Sequence, residues 1–184
     1  MRRSAASCDS FTAKSYVAAA RALGESAWQA GGRESRTVIE AMFRRVTGNI
    51  VFPGFTAPKL MWVRRHEPQV WGRVAKVLLP KDYLRLWLTG DHVGEMSDAA
   101  GTSWLDTGRR DWSDDLLAAT GLTRSQMPRL VEGSQVSGTL RAALATRWGL
   151  PSGVVVAGGG GDNAASGVGV GVVRAGEAFV SLGT

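Results

Sequence analysis

In the run VVVAGGGGDNAASGVGVGVV, Val154 to Val173, one carboxylate, Asp162, follows four consecutive glycines and directly precedes Asn163. A carboxylate held beside a bound hydroxyl accepts its proton as the oxygen attacks an electrophile, so the chemistry open to Asp162 is general-base catalysis. The glycines before it let the backbone bend and let a ligand approach with no Cβ in the way. A structural reading competes: aspartate is a favoured helix N-cap, and the helix dipole favours a carboxylate at that end. The turn alone leaves both readings open. No Lys-Ser/Thr pair follows the glycines, so the run is not a P-loop. A second glycine signal stands at SLGT, Ser181 to Thr184, where Gly183 and Thr184 offer backbone N–H groups and a hydroxyl to a phosphate, or form an ordinary turn. Two phosphate-compatible loops joined by one helix point to phosphoryl transfer, in which positioning and charge neutralisation carry most of the catalysis.

The elements that must position these residues are written in the flanking sequence. GVVVAGG is a short β-branched run bounded by glycine and reads as a strand buried on both faces; GEAFVSLG reads as a second strand. The small-residue stretch Ala164 to Val173 between them reads as a helix that permits close backbone approach. Strand, glycine turn, helix, strand is an α/β arrangement, and in such sheets ligand-handling groups collect where a strand turns into a helix. Upstream, Thr56 is expected to cap a helix with Pro58 in its first turn and Leu60, Val63 and the stem of Arg64 along one face, restarted at Pro68. Pro80 opens a helix with the four-spaced pairs Tyr83/Trp87 and Leu84/Leu88, and Gly90 closes it; both helices present strongly apolar faces. Ser113 caps a third, with Asp114 and Asp115 at its start and Gly121 at its stop. Leu140, Leu144 and Trp148 form the stripe of a fourth, ended by Gly149.

Composition narrows the function classes. A chain of 184 residues with 44% hydrophobic and 21% charged residues builds one ordinary core. The net charge of +6 comes from Lys and Arg interleaved with Asp and Glu, which describes solvated faces rather than a nucleic-acid footprint. The lone Cys8 excludes an internal disulfide, and His66 and His92 lack zinc-site partners. No run of about 18 apolar residues spans a bilayer, and MRRSAASCDSFTAK has no signal-peptide core. A cytoplasmic chain with no membrane and no specific nucleic-acid partner is expected. Ser4 to Gly32 is rich in Ala, Ser, Gly and Arg, with one weak helical stretch at Tyr16 to Leu23.

TGNIVFPGFTAPKLMWVRRHEP, KVLLPKDYLRLWLTG, MSDAAGTSWLD, RDWSDDLL, VVVAGGGGDNAA and SLGT, in that order and spacing, resemble the FGGY family of carbohydrate kinases. The resemblance runs from about Thr47 to Thr184. It implies an α/β fold of the actin-like, ribonuclease H-like ATPase kind, here an incomplete N-terminal lobe, with residues 1–46 an atypical, poorly specified segment and 47–184 the C-terminal part of the kinase N-terminal domain. It implies ATP and Mg2+ as cofactors and a small sugar as partner, with D-xylulose going to D-xylulose 5-phosphate; ribulose, glycerol or gluconate as substrate, or a non-catalytic remnant, are the alternatives. Asp162 matches the family's catalytic base, Asn163 a position that contacts substrate hydroxyls, and Gly183 and Thr184 the start of the second phosphate loop. Lys59 and Trp62 either line the cleft or pack their helix, and Asp98 either lies near the cleft or caps a turn.

The sequence departs from the family's pattern as well. An Asp-x-Gly-Thr phosphate loop, a Met-His-Gly type sugar-binding stretch, the adenosine-binding motif and the second lobe are not recognisable in it. The expectation is therefore a fragment of the first lobe, inactive or nearly so in isolation, with a homo-oligomer as one way to complete a site.

Overall fold

Proline or glycine bounds several of the helices in the computed structural model, which describes residues 41, 43–50 and 54–182. The weak helix expected at Tyr16 to Leu23 and the phosphate-loop residues Gly183 and Thr184 lie outside the described residues. The chain divides into two compact units, and the described residues of the first are 41, 43–50, 54–75 and 100–126, those of the second 76–99 and 127–182.

In the first unit, α1 (Thr56–His66) is followed by α2 (Pro68–Trp71), with Pro68 restarting the helix as expected. Thr56 is not the cap. Phe55 occupies the N-cap position with extended backbone, and no side-chain cap bond forms. Starting the helix there puts Pro58 third, so its missing N–H falls among the first-turn donors that have no intrahelical acceptor in any case. Leu105–Asp106 (β2) and Asp111–Trp112 (β3) form a short antiparallel hairpin with Leu105 opposite Trp112. The helix α5 (Asp114–Thr120) follows, with Ser113 Oγ accepting the Leu116 N–H and Gly121 closing it at a left-handed φ of 81°. Its buried face carries Leu116 and Leu117, which join Trp104, Leu105 and Leu122 in the core. Trp104 is wholly buried and its indole N–H donates to Thr120 Oγ1 at 2.9 Å, so the largest core side chain leaves no polar atom unpaired.

In the second unit, α3 (Pro80–Thr89) begins at its proline and ends at Gly90, φ 93°. β1 (Val93–Glu95) pairs in parallel with β4 (Arg129–Val131), and between them in sequence α4 (Met96–Ala99) packs against β1. β5 (Val136–Thr139) pairs antiparallel with β6 (Val155–Ala157). The helix α6 (Ala142–Arg147) lies between these strands in sequence, and α7 (Asp162–Gly169) follows β6.

Four expectations are corrected in this unit. The apolar pairs of α3 do not form its buried face: Tyr83, Leu84 and Trp87 are 65%, 55% and 45% exposed, whereas Asp82 and Arg85 are buried. The helix turns that way to bring the Arg85 guanidinium to Asp82 and to the Val93 and Gly158 carbonyls, as described below. The strand read from GVVVAGG exists but is not buried on both faces, since Val155 is 62% exposed and β6 pairs only with β5. Among the described residues no strand forms over 176–182; Phe179 instead packs onto α7, with its ring where a side chain on Gly167 would sit. Leu140 is buried ahead of α6 rather than within it, and Gly149 follows the Trp148 cap at φ 65°. Among the described residues no helix is long and apolar enough to cross a membrane.

Candidate active site

The first two glycines of the turn between β6 and α7 are held by backbone hydrogen bonds. The Gly158 N–H donates to Gln135 O at 2.8 Å and the Gly159 N–H to Gly133 O at 2.9 Å. The two glycine segments approach so closely that a Cβ on Gly158 would strike the Glu132 carbonyl, and one on Gly133 the Gly159 carbonyl. Gly159 itself has φ 77°, open to glycine at no steric cost. Close packing at Gly158 and a left-handed backbone at Gly159 therefore account for the first two glycines of the quartet, and the tight approach of Gly161 to Asp98 for the last.

Asp162 is the first residue of α7 and is exposed. It is not the N-cap: Gly161 occupies that position with extended backbone and caps nothing through a side chain. The Asp162 Oδ1 atom accepts the N–H of Asn163 at 2.7 Å, while Oδ2 accepts no hydrogen bond among the described residues. The arrangement is a carboxylate at the positive end of an eight-residue helix, one oxygen oriented by its own backbone and the other open. Asn163 is exposed beside it. Chemically, such a group can accept a proton from a hydroxyl brought to Oδ2.

Beneath this turn lies a charged cluster that sequence reasoning passed over. Lys81, the second residue of α3, sets its ammonium 3.2 Å from Asp82 Oδ1, 3.7 Å from Glu95 Oε2 and 3.5 Å from Asp98 Oδ2. Arg85 is buried, donating to Asp82 Oδ1 at 2.8 Å, to Val93 O at 2.6 Å and, through Nη2, to Gly158 O. Arg85 thereby ties α3 both to β1 and to the first glycine of the turn. The buried Glu95 accepts the Ser97 N–H at 2.5 Å and the Ser97 hydroxyl at 2.8 Å. Ser97 Oγ in turn accepts the Gly161 N–H at 2.9 Å. Asp98 neither stands in open solvent nor caps a loop; it sits in α4 against Gly161, whose Cβ, if present, would lie 3.3 Å from Asp98 Cα. Burial pushes the Asp98 carboxyl above its ordinary value of 3.8, outweighing the Lys81 charge that pulls it down.

The structure thus joins Asp162, Asn163 and Asp98 around one glycine turn and adds Lys81, Arg85, Glu95 and Ser97 to it. The signal for these four was present: Asp82 and Arg85 interrupt an otherwise apolar helix at a three-residue spacing that puts both on one face, and Glu95 is followed two residues later by a hydroxyl. Lys59 and Trp62 belong to the first unit, both exposed on α1, with Trp62 stacked on His66 at 4.9 Å between ring centroids. His92 is exposed. Among the described residues no group of three His, Cys, Asp or Glu side chains is arranged to hold a metal ion.

Residues 30–169 match the sequence profile of the FGGY family of carbohydrate kinases, N-terminal domain. The chain is 61% identical over 141 residues to a xylulose kinase from Klebsiella pneumoniae, covering 77% of this chain and 29% of that protein. It is 57% identical over 151 residues to a xylulose kinase from Escherichia coli, covering 80% and 31%. In structure it is similar to a "xyloylose kinase" from Brucella ovis, with a TM-score of 0.72 at 63% identity over 75% of this chain and 29% of the other. The chain therefore spans less than a third of the length of these relatives.

Proposed function

The chain belongs to the FGGY family of carbohydrate kinases through that family's N-terminal domain, and from that premise we propose that it takes part in the ATP-dependent phosphorylation of D-xylulose to D-xylulose 5-phosphate, with Asp162 as the base. The fold, of the actin-like ATPase kind, agrees with this reading. Residues 47–184 then form the C-terminal part of the kinase N-terminal domain.

The observation that carries the assignment of the base is the open Oδ2 of Asp162 at the strand-to-helix turn. The sugar hydroxyl donates its proton to Oδ2 as its oxygen bonds to the transferred phosphorus, and the bond from that phosphorus to the leaving oxygen breaks. Bound ATP supplies the γ-phosphoryl group, and ADP is the leaving product. Asn163, next on the helix and exposed, is proposed to hold a neighbouring sugar hydroxyl, and Gly183 and Thr184 are proposed for the phosphates. With no three-carboxylate cage among the described residues, Mg2+ is proposed as a partner of the nucleotide phosphates, the usual way this ion is held in kinases. The sugar is the expected small-molecule partner, and the reaction places the enzyme in the cytoplasm, where ATP is available.

The reading is tested by a coupled assay for ADP release with MgATP and D-xylulose, run beside tryptophan-fluorescence titration of the sugar. Asp162→Asn is expected to cut sugar-dependent release by about 10² to 10⁴-fold and to leave sugar affinity within a few-fold. Unchanged release in that variant removes Asp162 as base. Equal turnover of D-xylulose, D-ribulose and glycerol removes the substrate.

A further inference from the structure

A base works only if its oxygen stays within a fraction of an ångström of the reacting position, so whatever fixes the start of α7 is part of the function. Gly161, the N-cap of α7, cannot do this with a side chain of its own. Its N–H is instead taken by Ser97 Oγ, 64 residues earlier in the chain, at 2.9 Å.

That acceptor is itself oriented. The Ser97 hydroxyl proton points at Glu95 Oε2, 2.8 Å away, which leaves an oxygen lone pair for Gly161. Glu95 is 3% exposed and sits on β1, whose pairing with β4 fixes its backbone. Its carboxylate is pinned from three further directions, by the Ser97 N–H at 2.5 Å, the Asp98 N–H at 3.3 Å and the Lys81 ammonium at 3.7 Å. An ionised acceptor strengthens and shortens the bond it receives, and the polarised hydroxyl becomes a better acceptor in turn. The lack of a Cβ on Gly161 eases this contact, because a Cβ there would lie only 3.3 Å from Asp98 Cα.

We propose that Ser97, oriented by Glu95, is a positioning residue that fixes the N-terminus of α7 and with it the Asp162 carboxylate. This rests on the reading of Asp162 as the base, but its structural half is separable from that reading.

The experiment compares the wild-type chain with Ser97→Ala and Ser97→Thr. Amide hydrogen exchange of Gly161 and Asn163 is followed by NMR, with thermal midpoints and sugar-dependent ADP release measured on the same samples. In Ser97→Ala, exchange at Gly161 should accelerate at least tenfold while the amides of β1 and β4 are unchanged, kcat should fall about tenfold or more, and KM should stay within twofold. Ser97→Thr, which keeps the hydroxyl, should return Gly161 exchange to within threefold of wild type and kcat with it. Unchanged Gly161 exchange in Ser97→Ala overturns the proposal, whatever the kinetics. General acceleration across β1 and β4 overturns it too, since Ser97 would then serve folding of the whole unit. Altered Gly161 exchange with rescue by threonine, in a chain that releases no ADP with sugar, leaves Ser97 as the residue that positions this turn and counts against the kinase reading alone.

Discussion

At the scale of single residues, Asp98 gives the site a pH signature. Burial raises its carboxyl above the ordinary 3.8. A carboxyl whose folded value lies above its unfolded one favours folding while protonated, so its contribution is complete below pH 3.8 and is lost as the pH rises through the raised value. Asp98→Asn removes that loss. Urea midpoints of the wild type and Asp98→Asn, measured from pH 3.5 to 7, should therefore separate progressively in favour of the variant as the pH rises. Parallel curves would mean that the Lys81 contact cancels the burial. That Asp162 stands where a glycine turn leads into a helix was legible in the sequence, and the structure puts it there; its part as the base is the proposal made above. Around it, the short-range patterns were legible, Asp82 with Arg85 and Glu95 with Ser97, but the contacts that bring them to the turn were not: Ser97 reaches Gly161, 64 residues away, and Arg85 reaches Gly158, 73 residues away. Spacing rules reach only a few residues along a strand or helix.

At the scale of elements, capping was legible where the cap is local. Ser113 both has the cap geometry and accepts the Leu116 N–H, whereas Thr56 stands one place inside its helix and caps nothing. Ser113→Ala should cost about 1 kcal/mol of unfolding free energy, and Thr56→Ala less than about 0.5 kcal/mol, both read from chemical denaturation. A cost for Thr56→Ala equal to that of Ser113→Ala would return the cap to Thr56. Helix stops were equally legible, at Gly90, Gly121 and Gly149, all with positive φ. The faces of α3 were not. A stripe of Tyr83, Leu84 and Trp87 satisfies every pattern for a buried face, yet the buried positions went to Arg85, which donates to Val93 O on β1 and to Gly158 O, and to Asp82, which pairs with it. The strand expected at GEAFVSLG failed for a related reason, because a β-branched and aromatic run becomes a strand only with an edge to pair with, and Phe179 found the bare Gly167 instead.

At the scale of the whole molecule, the outward-facing stripe of α3 joins Trp148 on the same unit, the Trp87 and Trp148 rings lying 6.0 Å apart. Apolar surface of this kind promotes association. Tyr83→Lys with Leu84→Lys should lower light scattering at high concentration and leave the thermal midpoint within about 2 °C, because neither side chain is buried. A large fall in the midpoint would show instead that the stripe is packed in solution. The second unit is also discontinuous, since the chain leaves it after Ala99 and returns at Met127. Ser97 therefore leaves the ribosome 64 residues before the Gly161 amide it receives, a delay of roughly 3–13 s at ordinary rates of synthesis. Throughout that interval the glutamate and arginine that hold the turn are present without the turn they hold, so the nascent chain passes through a stage in which the ionic foundation of the site is complete and the site is not. A ribosome pause between those two codons prolongs that stage, and translation speed across the intervening stretch becomes a determinant of how much chain reaches the folded state.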